Sequence, residues 1–390
     1  MYRETWAEIN LNHIRNNLKN IRESLPRKVK LMAVIKADGY GHGAAECART
    51  AEQVGADTLA VAYLEEALHL RASGITLPIL ILTPIQPKHV MLALDHDLML
   101  TVASASWFRE MRVFKPYTSG KKIQVHVKVD TGLGRIGLQS MKDWDELVPW
   151  LKANDIVVDG FYTHFATAGK VDTTFLELQT KRFIDMMEWS KKSDIAIRHY
   201  HCAGSVAALR FPELAMDMVR IGAAMYGFYP GKLVSAVKLL PALSLHSKLI
   251  QVKKLYRGDY LGYDNMYQAD KDQWIGTVPI GYADGWSQNM QHTEVLINGQ
   301  RANVVGKICM DQLMVKLPGP CEVGTKVTLI GSQGDEQITF AELASHIGSV
   351  AQEISTSLTA RITRSYINME EAWIHWEKEK LSYKSKNAVI

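Results

Sequence analysis

Short apolar, β-rich runs recur along the first 240 residues: Lys30–Ile35, Thr58–Ala62, Pro78–Thr83, Leu98–Ala103, Ile123–Val129, Val158–Phe165, His199–Ala203 and Met218–Met225. A helix-like stretch, Leu11–Leu25, precedes them. Between most of the runs lie segments of helical length, such as Gly43–Val54, Leu64–Ser73, Met141–Ala153 and Thr174–Lys191, whose apolar residues recur near the helical period. Strand followed by helix, repeated in this way, predicts a parallel α/β fold. A count of eight strands favours a closed (β/α)8 TIM-like barrel over a doubly wound sheet. Past Pro241 the long helices stop, and Ser244–Tyr256, Trp274–Ile280, Glu294–Ile297, Ala302–Lys307, Gln312–Leu317 and Lys326–Ile330 read as strands of a second, mainly β domain. Thr339, with Glu342 three residues on, is a capping-box pattern opening a helix over Phe340–Ile347. The expected organisation is a barrel over 1–240, a β domain over 241–368 and a lysine-rich polar tail over 369–390.

Composition narrows the function. The 390 residues suffice for two or three domains of roughly 150 residues each. With 47% hydrophobic and 22% charged residues the chain is neither disordered nor collagen-like. A net charge of +4 is too small to indicate nucleic acid or an anionic membrane as partner, which leaves small-molecule chemistry. Cys47, Cys202, Cys309 and Cys321 form no C-x-x-C pair, as expected in a reducing compartment. The acidic start has no apolar stretch like that of a signal peptide, and no later run approaches the roughly 18 apolar residues of a membrane span, so a cytoplasmic location is expected.

Barrel active sites lie at the C-terminal ends of the strands, and several unusual residues fall there. Lys36 closes the first apolar run. A lysine that costly to desolvate has a lowered pKa, as Schiff-base chemistry requires, unless its side chain simply snorkels into water. Gly132, Gly134 and Gly137 make a G-x-G-x-x-G after the fifth strand, the wrong place for a dinucleotide fold. Arg135, inside those glycines, reads either as a guanidinium presented to a carboxylate or as a surface arginine on a turn. His164, His199 and His201 lack metal-ligand spacing, so no metal is expected. Gly204-Ser205 and Gly222-Ala223 follow the last two strands, where barrels bind phosphate, and Arg220 is a charge inside an apolar strand that needs a partner or a site to face. In the β domain, Tyr263, Tyr282 and Cys309 taken singly read as ordinary core or surface residues.

Taken together, the segments VIKADGYGHG at Val34–Gly43, THFA from Thr163, MVRIG from Met218, IGYADG from Ile280 and CMD from Cys309 closely resemble the alanine racemases. The resemblance runs in order from Thr5 to about Tyr366. It implies pyridoxal 5'-phosphate (PLP) bound in the barrel, a small amino-acid substrate and a head-to-tail homodimer with shared active sites. Lys36 would hold PLP as a Schiff base and act as base for one enantiomer, with Tyr263 of the partner subunit as the opposite base. His164 and Arg220 would tune that tyrosine, Arg220 facing the pyridine nitrogen. Tyr40, Ser205, Gly222 and Ala223 match phosphate-binding positions. Arg135 matches the carboxylate-binding position, assisted by Met310 of the partner subunit, and Asp311 of the partner subunit matches an active-site acid. Lys128 matches a lysine that is often carbamylated. Gln352 stands where the family usually has a tyrosine touching the phosphate, and the departure implies activity on serine or larger amino acids. Gly169, Gly204, Gln288 and Lys307 also depart from the family pattern near the entrance. Rival readings are a PLP-dependent decarboxylase, a PLP-binding barrel protein without turnover and, more distantly, a nicotinamide dehydrogenase.

Overall fold

A strand buried on both faces needs neighbours on each side and helices behind it, and a parallel barrel supplies both. In the computed structural model, which describes residues 3–115, 120–229 and 237–367, eight parallel strands form one sheet: Lys30–Val34, Thr58–Val61, Ile79–Ile81, Leu98–Val102, Ile123–Lys128, Ile156–Tyr162, His199–His201 and Met218–Ile221. The first strand pairs with the last, Met32 opposite Arg220, while a single bridge from Gly204 to Arg220 nearly closes the remaining seam. The expected α/β barrel is therefore present. The predicted last run is cut at Ile221, because Ala223–Tyr226 turns into a 3-10 helix.

The barrel interior is divided. On one side Met32, Ala60, Leu80, Met99 and Met218 form an apolar cluster. Thr101, His126, Lys128, Tyr162, His201 and Arg220, by contrast, are buried polar or charged residues on the later strands and the seam. Outside, Trp144 and Phe183 pack on Phe161, fixing two of the covering helices against the sheet.

A second unit comprises the N-terminal segment through His13 and the chain from Pro241, while residues 14–240 hold the barrel. Its sheet has ten strands, all antiparallel neighbours except one pair. Thr5–Asn10, inside the expected barrel range of 1–240, instead pairs antiparallel with Leu243–Lys248 and parallel with Thr363–Ile367. The predicted strand Ser244–Tyr256 is two strands, Leu243–Lys248 and Gln251–Leu255. Between them the backbone N–H groups of Leu249 and Ile250 go to Thr325 and Thr277, so the chain changes partners there. Only half of the predicted capping box forms: Thr339 Oγ1 accepts from Glu342 N at 3.0 Å, but the Glu342 carboxylate pairs with Arg301 instead. The expected tail, 369–390, lies outside the described residues. Among the described residues no helix is long and apolar enough to cross a membrane.

Candidate active site

The C-terminal ends of the barrel strands surround a cavity of about 550 Å³. It brings together Lys36, Tyr40, Lys128, Arg135, His164, Ser205, Arg220, Gly222 and Ala223 from segments scattered over nearly 190 positions of sequence.

Immediately after Lys36 the backbone does something L-residues avoid. Ala37, Asp38 and Tyr40 all have φ between 51° and 55°, and Gly39 and Gly41 are also left-handed. Each such non-glycine residue costs roughly 1 kcal/mol. The turn is held by Gly39 N to Ile35 O at 2.8 Å, Gly41 N to Ala37 O at 2.9 Å and Ala44 N to Asp38 Oδ1 at 2.8 Å. It carries Tyr40 back over the strand end, where the Tyr40 hydroxyl lies so close to Gly222 that a Cβ there would stand 2.6 Å from it. Ser205 Oγ accepts from the N–H groups of Gly222 and Ala224 at 3.0 and 3.3 Å, which fixes the turn after the last strand. Hydroxyls and backbone amides thus meet in a compact cradle at one end of the cavity.

The rest of the cavity is strongly cationic. Lys36 is half-buried, and burial together with the nearby Arg135 lowers its pKa. Lys128 is 5% exposed, its ammonium 4.3 Å from the Tyr162 ring centroid. Burial, reinforced by Arg220 and Arg135, pulls its pKa down to about 7. Arg220 is buried, and among the described residues its hydrogen-bond acceptors are neutral: His201 Nδ1 at 2.8 Å, His164 Nδ1 at 3.0 Å and the carbonyls of Thr163, His201 and Cys202. Burial and the surrounding cations keep His164 well below an ordinary histidine, so it is neutral and its Nδ1 is free to accept. The site is built for anions.

Arg135 rides on a loop whose glycines are explained without nucleotide. Asp130 accepts from Gly132 N and Gly134 N at 2.9 and 3.1 Å, and Gly132, Gly134 and Gly137 all have positive φ. A Cβ on Gly137 would lie 2.4 Å from Asp130 N. Gly137→Ala is therefore expected to pry the loop off its strand. Thermal denaturation should show a loss of about 2 kcal/mol, and KM for a carboxylate substrate should rise several-fold as Arg135 moves. An unchanged melting temperature and KM would refute this reading of the loop.

Four predicted residues lie in the other unit. Tyr263 is 68% exposed and Met310 53%. Tyr263 sits between Gly262, at φ 80°, and the left-handed Asp264 and Asn265. Asp311 pairs with Arg361 at 2.7 Å, and Gln352 is half-buried on the helix Ala351–Ser357. Sequence reasoning missed Tyr162 and His126. Tyr162 stacks on His201 with ring centroids 4.8 Å apart, and its hydroxyl meets Thr101 at 2.8 Å. A polar residue at an inward position of an otherwise apolar barrel strand was the available signal for both.

Comparison with known proteins points to one family. Two family models match, one described as alanine racemase, N-terminal domain, over residues 9–230, the other as alanine racemase, C-terminal domain, over 242–366. The chain is 44% identical over 369 residues to an alanine racemase of Geobacillus stearothermophilus, covering 94% of each. Among solved structures, alanine racemase from Bacillus anthracis with bound L-Ala-P superposes with a TM-score of 0.92 at 41% identity, covering 94% of this chain and 96% of that one. A histidine racemase from Leuconostoc mesenteroides gives a TM-score of 0.86 at 31% identity, with 94% and 99% covered.

Proposed function

The chain belongs to the alanine racemase family, and from that premise we propose that it interconverts L- and D-alanine with pyridoxal 5'-phosphate held in the barrel cavity. The observation that carries this reading is the convergence of Lys36, Lys128, Arg135 and Arg220 on one cavity beside the Tyr40, Ser205 and Gly222 cradle. Such a cavity suits a cofactor phosphate and a substrate carboxylate together. When bound, the cofactor supplies an electron-withdrawing ring that makes the substrate's α-proton removable.

The protein's own groups then divide the work. Tyr40, Ser205 and the backbone at Gly222 and Ala223 would hold the phosphate. Arg135 would bind the substrate carboxylate. Arg220, permanently charged, would donate toward the ring nitrogen and keep it unprotonated. Lys36, which would also hold the cofactor covalently, would move a proton at one face of the α-carbon, burial and Arg135 favouring its neutral, proton-accepting form. Inversion needs a second base on the opposite face, and Tyr263 of the partner subunit supplies it in this reading. Met310 of the partner subunit and Asp311 of the partner subunit complete the substrate pocket. The exposure of Tyr263, Met310 and Tyr282 supports such a homodimer. Their loops are tied together by the Lys307–Asp264 ion pair and by the N–H groups of Tyr282 and Ala283 bonding to Cys309 and Met310 carbonyls at 3.1 and 3.0 Å. Large apolar side chains held in place in the open are characteristic of an interface. The four thiols, all free, fit a cytoplasmic enzyme.

Chiral chromatography of L-alanine incubated with purified protein and PLP tests the reading. Near-equal enantiomers are expected, and unchanged L-alanine over a yellow, borohydride-reducible protein would overturn it. A broader specificity is favoured by Gln352 and by the likeness to a histidine racemase. L-Serine is expected to turn over within about tenfold of alanine. The Gln352→Tyr variant should lower that ratio, and turnover of alanine alone would exclude the broader range.

Lys128 is proposed to be carbamylated. A neutral buried amine adds through nitrogen to carbon dioxide and releases one proton to solvent, giving a carbamate anion that would orient Arg135. In bicarbonate-free buffer the unfolded chain binds a proton on Lys128 that the folded chain lacks, between about pH 7 and the ordinary lysine value. Stability should therefore rise with pH across that window. Added ¹³C-bicarbonate should raise stability across that window without changing the slope, because the neutral amine and bicarbonate give carbamate and water with no net proton, and should give a carbamate carbon signal that Lys128→Met lacks. No such signal would rule the modification out.

A further inference from the structure

Among the described residues Arg220 is a buried cation with no carboxylate hydrogen-bonded to it, and a hydrogen-bonded path leads from it through the barrel interior toward one. Arg220 NH1 lies 2.8 Å from His201 Nδ1, His201 Nε2 lies 2.9 Å from His126 Nδ1, and His126 Nε2 lies 3.3 Å from Asp159 Oδ2. The last contact is an ion-pair distance, poorly aligned for a hydrogen bond. His126 and His201 have no exposed surface. Asp159 begins to reach solvent, where it accepts from Arg198 at 3.1 Å.

The direction of the chain follows from chemistry alone. A guanidinium can only donate, so His201 Nδ1 must be the acceptor and the single proton of a neutral imidazole must sit on Nε2. That proton can go only to His126 Nδ1, which must therefore also be bare, leaving the His126 proton on Nε2, on the side of Asp159. Both hydrogen-bonded links donate the same way, and the carboxylate stands beside the last donor as a charge contact. Burial keeps both imidazoles below the usual histidine range, Asp159 opposing this at His126 and Arg220 reinforcing it. For Asp159, burial alone would raise the pKa, but the contacts with His126 and Arg198 outweigh it and bring it down to about 2. Neutral rings ending on a carboxylate are the charge state the directed chain requires.

The backbone makes room for this arrangement. The strand Ile123–Lys128 shifts register against Ile156–Tyr162 at His126, which falls opposite Gly160. A Cβ on Gly160 would stand 2.1 Å from His126 Nδ1. Gly160 has no left-handed φ to explain it, so the space it leaves is for the imidazole.

We propose that His126 and Asp159 are positioning residues for Arg220: a one-way chain of donors, Arg220 to His201 to His126, ends beside the charge of Asp159 and holds the guanidinium toward the cavity. The polarity of the chain stands on its own geometry; its consequence for turnover rests on the racemase reading. Two variants separate polarity from packing. His126→Gln keeps an acceptor for His201 and a donor for Asp159, whereas His126→Phe fills the space with neither.

The test is ¹⁵N NMR of histidine-labelled, cofactor-free full-length protein, followed by kinetics of the loaded enzyme. Wild type is expected to show both rings neutral and protonated on Nε2, with a downfield His201 Nε2 proton. His126→Gln should keep that proton and hold kcat within about threefold, while His126→Phe should lose it and lower kcat about tenfold with KM nearly unchanged. A His201 ring protonated on Nδ1, or charged, in wild type would overturn the proposal. Equal losses of kcat in the two variants, tracking their melting temperatures, would overturn it as well. If wild type shows the expected tautomers but no racemisation, the chain's polarity is supported and only the racemase reading fails.

Discussion

Lys36→Ala is expected to lower racemisation of alanine by roughly a thousandfold or more, because it removes both a general base and the covalent hold on the cofactor. Lys36 stands just past the end of the first barrel strand, its ammonium 5.9 Å from the Tyr40 ring centroid and its charge already disfavoured by burial and by Arg135. The variant should not unfold. Removing a half-buried charge beside Arg135 relieves repulsion, so the melting temperature of the cofactor-free protein should hold or rise. Purified protein should lose its yellow, borohydride-reducible colour, and mass spectrometry after reduction of wild type should place the added mass on the peptide containing Lys36. Retained turnover, or reduction at Lys128 instead, would move the chemistry to another residue.

That Lys36 could be singled out from sequence reflects what a barrel does to a charge. Val34 ends a strand and Ile35 after it is buried, so the next residue stands at the rim. Arg220 was legible for the same reason, as a charge in an otherwise apolar run. The left-handed turn at Ala37–Tyr40 was not. Alanine and tyrosine disfavour positive φ, and only tertiary contacts at Gly222 and the Asp38 cap make the turn tolerable. His126 carried the same kind of mark, a polar residue in an apolar strand, but its partners His201 and Asp159 lie 75 and 33 positions away, so its role was not legible from the strand alone. In the β unit, Thr363–Ile367 escaped because it is a mostly exposed edge strand with no buried face to impose alternation. Thr5–Asn10 did alternate, buried then half-buried, yet its partners lie more than 230 residues away, beyond anything a local pattern specifies.

Mixing two inactive variants should restore activity, the outcome that most directly tests whether the sites are shared. Tyr263→Phe removes only a hydroxyl from a residue that is 68% exposed, so it should fold normally while losing roughly a hundredfold or more in kcat. Lys36→Ala is disabled at the barrel. If the second base comes from the partner subunit, a mixed dimer has one site lacking both groups and one with both intact. Random reassortment makes half the dimers mixed, each with one working site, so an equimolar mixture should recover about a quarter of wild-type turnover. If each protomer instead used its own tyrosine, no mixed dimer would contain a complete site and activity would stay at the level of the separate variants. Recovery should depend on subunit exchange, appearing after dilution and reconcentration or co-expression and not on rapid mixing. A monomer by sedimentation, with both variants inactive and no recovery, would refute the shared site. The exposed Tyr263, Met310 and Tyr282 surface would then need another explanation.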